Sequence, residues 1–199
     1  MSSWEAGLRQ RFTGWWQASG SYFENRIENL IYRATDLTAD PTGMTRPLVN
    51  AGKGFTKGVE AASTFRLRSW AMLKTTYTYN DAVISENTFL PETMGKRVPF
   101  VPKHMGSAGL LGSGKRFSGS LTGRYVGSAY RSDTNDDFVR GVPGSYDPFF
   151  EVDLTAGYEV NRHATLYAGV NNLLDRRYYI FYLNPGRTMQ VGLRFRMFQ

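Results

Sequence analysis

The residues that could do chemistry are few, and their spacing narrows what that chemistry is. His104 and His163 lie 59 positions apart (163 − 104 = 59) in a chain without cysteine, which is not the short spacing of a metal-ligand set. No metal site is expected, and no cofactor. No Ser/His/Asp arrangement, phosphate loop or close carboxylate pair stands out, so an enzyme is not expected. What the chain does carry is aromatic rings beside arginines: Tyr130, Arg131, Phe138, Arg140, Tyr146, Phe149, Tyr178, Tyr179, Phe181 and Tyr182. Such a set can hold an anionic, aromatic ligand by stacking and charge. It equally suits an interfacial girdle whose basic groups meet lipid phosphates.

A second set recurs at alternate positions: Glu5, Arg9, Glu60, Arg66, Arg124, Glu151, Asp153, Arg194 and Arg196. These charges share the polar parity of strand-like runs. They can hydrogen-bond to a body held against that face, or pair across strands.

The elements that must position both sets follow from period-two alternation. Phe117, Gly119, Leu121, Gly123 and Tyr125 oppose Ser118, Ser120, Thr122 and Arg124. Phe150, Val152, Leu154, Ala156 and Tyr158 oppose Glu151, Asp153, Thr155 and Glu159. Met189, Val191, Leu193, Phe195 and Met197 oppose Thr188, Gln190, Arg194 and Arg196. With similar runs upstream, about nine strands are predicted, and strand 2 continues through residues 24–33. Residues 103–112 read as a strand of ambiguous parity. Short turns are expected near Thr13-Gly14, Leu67-Arg68, Gly112-Lys115 and Asn161-His163. Longer loops are expected near 34–46, 84–101, 132–147 and 176–186. Short and long alternate, as in an outer-membrane barrel with its turns on one side and its loops on the other.

Composition bounds the rest. Lys plus Arg exceeds Asp plus Glu by 24 − 17 = 7, and aromatics are 15% of the residues. That aromatic content is too high for a disordered chain. The basic residues are scattered and no nucleic-acid motif appears, so nucleic acid is not an expected partner. No secretory signal is visible at the start. Alternation alone fits a soluble sandwich, whose apolar face is a core, or a membrane barrel, whose apolar face meets lipid. Aromatics near strand ends and strands of about 9–11 residues favour the membrane.

The last third carries a resemblance. The run from Tyr158 to Tyr179, with Asn171-Asn172-Leu173-Leu174-Asp175-Arg176-Arg177-Tyr178, followed by Pro185-Gly186-Arg187 and a final amphipathic strand, resembles the C-terminal signature of TonB-dependent outer-membrane receptors. Glu5-Ala6-Gly7-Leu8, Gly58-Val59-Glu60, Tyr77-Thr78-Tyr79 and Val98-Pro99 to Pro102-Lys103-His104 are similar to upstream segments of that family. The resemblance implies a 22-stranded barrel around a plug, in the bacterial outer membrane, importing ferric siderophores, cobalamin or similar scarce nutrients with energy from the TonB complex. It assigns structural roles to Asn172, Leu173, Asp175, Tyr178, Pro185, Gly186 and Arg187, and gives Phe198 the terminal aromatic position, displaced here by Gln199.

Residues 1–199 are accordingly expected to be the C-terminal part of a receptor barrel, with the plug and earlier strands absent. The fold expected is all-β, an antiparallel transmembrane meander forming an open partial barrel whose first and last strands are edges. Val152, Leu154, Ala156, Leu166, Val170, Val191, Leu193 and Phe195 should be accessible on the convex face, with Glu151, Asp153, Thr155, Gln190 and Arg194 on the concave one. The alternatives are a complete small outer-membrane barrel with a structural or adhesive role, and a soluble β-sandwich binding module.

Overall fold

A computed structural model describes residues 1–33, 48–137 and 139–196. In chain order the strands are β1 (Ser2–Arg11), β2 (Trp16–Arg33), β3 (Leu48–Arg68), β4 (Ala71–Asn87), β5 (His104–Ser113), β6 (Phe117–Val126), β7 (Phe149–Asn161) and β8 (Ala164–Asn171). The two-residue strands β9 (Tyr179–Ile180) and β10 (Tyr182–Leu183) follow, and then β11 (Thr188–Phe195). Among the described residues the only helical element is a 3-10 turn at Pro91–Thr93. Nine strands form one antiparallel sheet in the order β1-β2-β3-β4-β5-β6-β7-β8-β11, while β9 and β10 pair separately.

The register carries the alternation across strands. Leu73, Leu110, Leu121, Leu154, Val170 and Met189 stand opposite one another in a single row. The neighbouring row of opposite parity holds Lys74, Gly109, Thr122 and Asp153. Successive side chains of a strand point to opposite faces, so the sheet has one apolar and one polar face. The β5 parity, ambiguous in sequence, is settled by this register: Gly106, Ala108 and Leu110 share the apolar face. Hydroxyl pairs stitch the polar face, with Thr76 and Ser107 at 2.7 Å and Ser120 and Thr155 at 2.8 Å.

Aromatics form belts on the apolar face. Near the short turns, Phe12 stacks on Trp16 at 4.1 Å, Trp16 on Phe65 at 5.8 Å, and Phe117 lies 4.8 Å from Tyr158. Toward the loops, Trp4 lies 5.3 Å from Tyr22, and Tyr77 Oη is 2.8 Å from His104 Nδ1.

Among the described residues no core covers the apolar face. Val191 is 75% exposed, Met189 71% and Phe195 65%, whereas the buried apolar residues among those described are Ala82, Ile84, Phe149 and Tyr178, gathered toward the long loops. A soluble sandwich would bury one face of this sheet, so that alternative is overturned. The small closed barrel is overturned as well: β1 and β11 end opposite sides of the sheet and do not pair.

The strand lengths need correction. β2 has 18 residues, β3 21 and β4 17, well beyond the expected 9–11. Their outer halves add charged cross-strand neighbours to the apolar ones. Glu24, Lys57 and Asp81 face one another in one row, and Lys53 Nζ sits 2.6 Å from Glu86 Oε2. The backbone ladder therefore continues where hydrophobic alternation is interrupted. The reversal expected at Leu67-Arg68 falls at Ser69 and Trp70, because a bulge between Arg66 and Arg68 absorbs one residue. A second bulge, in β2, contains Asn29 at φ 61, a left-handed conformation that Asn tolerates. The expected loop near 34–46 lies outside the described residues.

Candidate functional site at the long-loop end

The loops that leave the sheet on one side are tied together by side chains acting across them. β6 and β7 bring Arg124 opposite Glu151. Arg124 Nη2 donates to Glu151 Oε1 at 3.4 Å, and Tyr178 Oη donates to Glu151 Oε2 at 2.6 Å. Asn184 Nδ2 donates in turn to Tyr178 Oη at 2.7 Å. The Tyr178 ring stacks on Phe149 at 4.1 Å with planes 9° apart, and the Arg124 guanidinium lies 5.2 Å over the same Phe149 ring. Glu151 is 8% exposed and Tyr178 4%. A buried carboxylate is tolerated here because a cation and a hydroxyl donor each hold one of its oxygens.

Burial pushes the Tyr178 phenol above its ordinary range, and the Glu151 carboxylate adds to the shift by hydrogen bond and charge. The folded chain then holds this proton where the unfolded chain releases it. The Tyr178 contribution to stability is present in full below about pH 10, the ordinary tyrosine value, and is lost as pH rises toward the raised folded value. Unfolding midpoints in detergent measured from neutral to alkaline pH should fall more steeply for the parent chain than for Tyr178→Phe. Parallel curves would contradict this coupling.

The signature residues close the loop that follows β8. Asn172 adopts φ 51 and is 2% exposed. Its Nδ2 donates to the Arg176 carbonyl at 2.8 Å and the Pro185 carbonyl at 3.3 Å, and its Oδ1 accepts the Arg176 N–H at 2.9 Å. Its own N–H donates to Asp153 Oδ1 at 2.9 Å. Leu173 N–H donates to the Val152 carbonyl at 2.7 Å, which extends the contact between this chain end and β7. Asp175 Oδ1 accepts the Arg187 N–H at 2.7 Å and lies 2.6 Å from where a Cβ on Gly186 would sit. Any larger residue there would have to displace that carboxylate from its bond to the Arg187 N–H. Phe198 lies outside the described residues.

The aromatic and arginine set is partly gathered. Tyr130, Arg140 and Tyr146 line one cleft with Ser128, Asp137 and Val139, of only about 50 Å³. That volume holds a water or two. Tyr146 meets Phe100 edge-on at 5.1 Å, and Arg140 Nη2 donates to Ser128 Oγ at 3.5 Å. Arg131 is exposed, with its N–H donating to Asp137 Oδ2 at 2.6 Å. Tyr179 and Phe181 stand apart from this cleft. They belong to the later loop, whose backbone binds the earlier one: the Tyr179 N–H donates to Asp147 Oδ2 at 2.9 Å and the Phe181 N–H to the Ser145 carbonyl at 2.9 Å. Phe138 lies outside the described residues. Of the polar-parity charges, Arg124, Glu151 and Asp153 join these networks, whereas Glu5, Arg9, Glu60 and Arg194 are exposed along the sheet.

Two residues that organise these loops carried no local signal. Asp147 Oδ1 accepts the Gly141 N–H and the Ser145 hydroxyl, both at 2.9 Å, while Oδ2 takes the Tyr179 N–H. Asn135 accepts the Arg97 N–H at 2.7 Å and returns a bond to the Arg97 carbonyl at 3.0 Å. A larger concavity, about 900 Å³, lies elsewhere: it follows the polar face near the short turns, between Arg66 and Arg194.

A family model described as "TonB dependent receptor-like, beta-barrel" matches residues 1–173. The Metal-pseudopaline receptor CntO of Pseudomonas aeruginosa is 33% identical over 148 residues, covering 72% of this chain and 20% of that protein. Among solved structures, the ferric yersiniabactin uptake receptor FyuA from Yersinia pestis superposes with a TM-score of 0.74 at 20% identity, over 98% of this chain and 30% of its own. The ferric citrate transporter FecA gives 0.77 at 23% identity, over 96% and 30%. The chain thus spans about a fifth of the curated relative, and at these identities the two structures attest the fold.

Proposed function

Because the chain belongs to the TonB-dependent receptor β-barrel family, we propose that residues 1–199 form the C-terminal barrel segment of a longer receptor in the bacterial outer membrane. That receptor imports a scarce nutrient as a metal chelate, with ferric siderophores the leading class. The apolar face meets outer-membrane lipid, the polar face lines the lumen and meets a plug domain, and the TonB complex supplies the energy. The observation that carries this reading is the open nine-stranded sheet with segregated faces and two free edges. Free ladders in lipid are costly, and further strands would satisfy them. The loop aromatics and arginines, among them Tyr130, Arg131, Arg140, Tyr146, Tyr179 and Phe181, are the proposed ligand contacts. The signature residues hold the last loop in place.

A second ligand class, a metal–pseudopaline chelate, is favoured by the curated relative, which is named a metal-pseudopaline receptor. Uptake of radiolabelled iron from ferric citrate and ferric catecholate, and of radiolabelled zinc presented with pseudopaline, tests both in a receptor-deficient Gram-negative strain. The complete receptor should import one label and residues 1–199 alone should import none. Transport by the 199 residues alone, or none by the complete receptor, would contradict the proposal.

A further inference from the structure

The bulge near the end of β3 redirects a cation. Counted along the strand, Arg68 shares the parity of Thr64 and Arg66 on the polar face. The bulge shifts the register, so Arg68 stands opposite Ala71, in the apolar row that continues through Gly112, Gly119 and Ala156. Arg68 is exposed, its Nη1 donates to the neighbouring Leu67 carbonyl at 2.9 Å, and among the described residues it has no ion pair. It borders a groove of about 810 Å³ between the β3–β4 and β5–β6 turns, walled by Trp70, Leu110, Phe117, Leu121 and Leu154. Gly112 and Gly119 stand opposite each other in this groove and leave its floor open. As a residue of the sheet margin, Arg68 also touches the rim of the polar-face concavity. Trp70 is 59% exposed and Phe117 69%, as rings at the boundary between lipid and water are. Charge gathers at the same level. Within the four short turns and the two strand residues on either side of each, the charged residues are Arg11, Arg68, Lys115, Arg116 and Arg162, with no Asp or Glu. These unbalanced cations account for most of the chain's net charge of +7.

We propose that this groove is a site for one anionic phospholipid of the leaflet that surrounds the short turns. Its acyl chains lie against Leu110, Phe117, Leu121 and Leu154, and its headgroup phosphate pairs with Arg68 and with Lys115 and Arg116 of the adjacent turn. The proposal rests on the receptor reading above, which puts the apolar face in lipid. The chemistry of the site decides the occupant. The guanidinium of Arg68 offers a phosphate paired N–H donors in a fixed fork, and clustered cations at a membrane surface select anionic headgroups. A zwitterionic lipid brings a cation of its own against three others. A free phosphate uses the cations but leaves the apolar groove unfilled. An acidic polypeptide pairs with the cations but gains nothing from a groove on the face that lipid covers.

The test titrates residues 1–199 in uncharged detergent with fluorescent phosphatidylglycerol. Competitors are unlabelled phosphatidylglycerol, phosphatidylethanolamine with the same acyl chains, and soluble glycerol phosphate, which has the headgroup phosphate but no chains. Unlabelled phosphatidylglycerol should compete at least about tenfold better than either of the others. The triple variant Arg68→Gln, Lys115→Gln and Arg116→Gln should weaken binding about tenfold or more. Arg68→Gln alone should weaken it several-fold. Arg162→Gln removes a cation of the same rim that does not border the groove, and should stay within about twofold of the parent. Equal losses in Arg68→Gln and Arg162→Gln would mean diffuse attraction to the rim and would overturn the proposal. So would no loss in the triple variant, phosphatidylethanolamine competing as well as phosphatidylglycerol, or glycerol phosphate doing so. If the triple variant loses its strand circular dichroism, Arg68→Gln alone decides, with unchanged binding overturning the proposal. Failure here leaves the receptor reading intact, because that reading is judged by uptake and by behaviour without detergent.

Discussion

Replacing Asn172 by Ala is expected to release the loop between β8 and β11. The substitution removes the acceptor of the Arg176 N–H and the donors to the Arg176 and Pro185 carbonyls. Each group left unpaired in a part-buried setting costs about 1–3 kcal/mol. It also places a Cβ residue at φ 51 without the local hydrogen bonding that lets Asn adopt this conformation, adding about 1 kcal/mol. A net loss of about 3 kcal/mol for loop closure follows once water satisfies part of the deficit. That corresponds to an open population raised about a hundredfold. Trypsin reports it, because Arg176, Arg177 and Arg187 lie in this loop and are exposed. Cleavage there should accelerate strongly in Asn172→Ala and less in Asn172→Gly, which removes the bonds but not the backbone freedom. Unchanged cleavage would mean that Asn172 does not hold the loop.

Gly58→Ala should have a comparable effect on the sheet itself. A Cβ at Gly58 would collide with the Tyr79 carbonyl oxygen of β4 and fall 2.5 Å from Phe23 Cζ and 2.9 Å from Phe23 Cε1. The ring can swing away, but the carbonyl belongs to the neighbouring backbone, so the ladder must shift. Overpacking of this kind costs about 1–3 kcal/mol. Gly20→Ala, two strand positions from Tyr22 on the adjacent β2, is the control. There a Cβ meets only the Glu60 carbonyl oxygen, at 3.6 Å, an ordinary contact. Denaturant midpoints in detergent should drop clearly for Gly58→Ala and hardly move for Gly20→Ala. Equal shifts would place the cost in strand propensity and not in the collision.

Strand pairing was legible in the sequence wherever one face is uniformly apolar. Leu121, Leu154, Val170 and Met189 mark β6, β7, β8 and β11 in the alternation and stand in one row of the sheet. The outer halves of β2, β3 and β4 were only partly legible. There Glu24, Lys57 and Asp81 form a charged row, and the hydrogen-bond ladder that continues through it leaves only a broken hydrophobic period. The loop after β8 could be anticipated only through its resemblance to a family signature, and its bonds are short-range: Asn172 to Arg176 spans four residues and Asp175 to Arg187 twelve. The ties between loops could not. Asn135 reaches Arg97 across 38 residues and Asp147 reaches Tyr179 across 32, and no local pattern signals such distant partners. Glu151 was recognisable as a polar-face charge, but its burial under Tyr178, 27 residues away, follows from the loop folding back over β7.

Sedimentation of residues 1–199 in detergent-free buffer tests the central claim most directly. The sheet presents an apolar face along nine strands and leaves the ladders of β1 and β11 unpaired. Soluble monomers do not expose apolar faces of this extent, and a free strand edge recruits other chains. The expected result is heterogeneous, fast-sedimenting aggregate that disperses when detergent covers the apolar face. A monodisperse monomer in plain buffer would contradict an outer-membrane barrel segment, because it would require the apolar face to be buried within the chain itself.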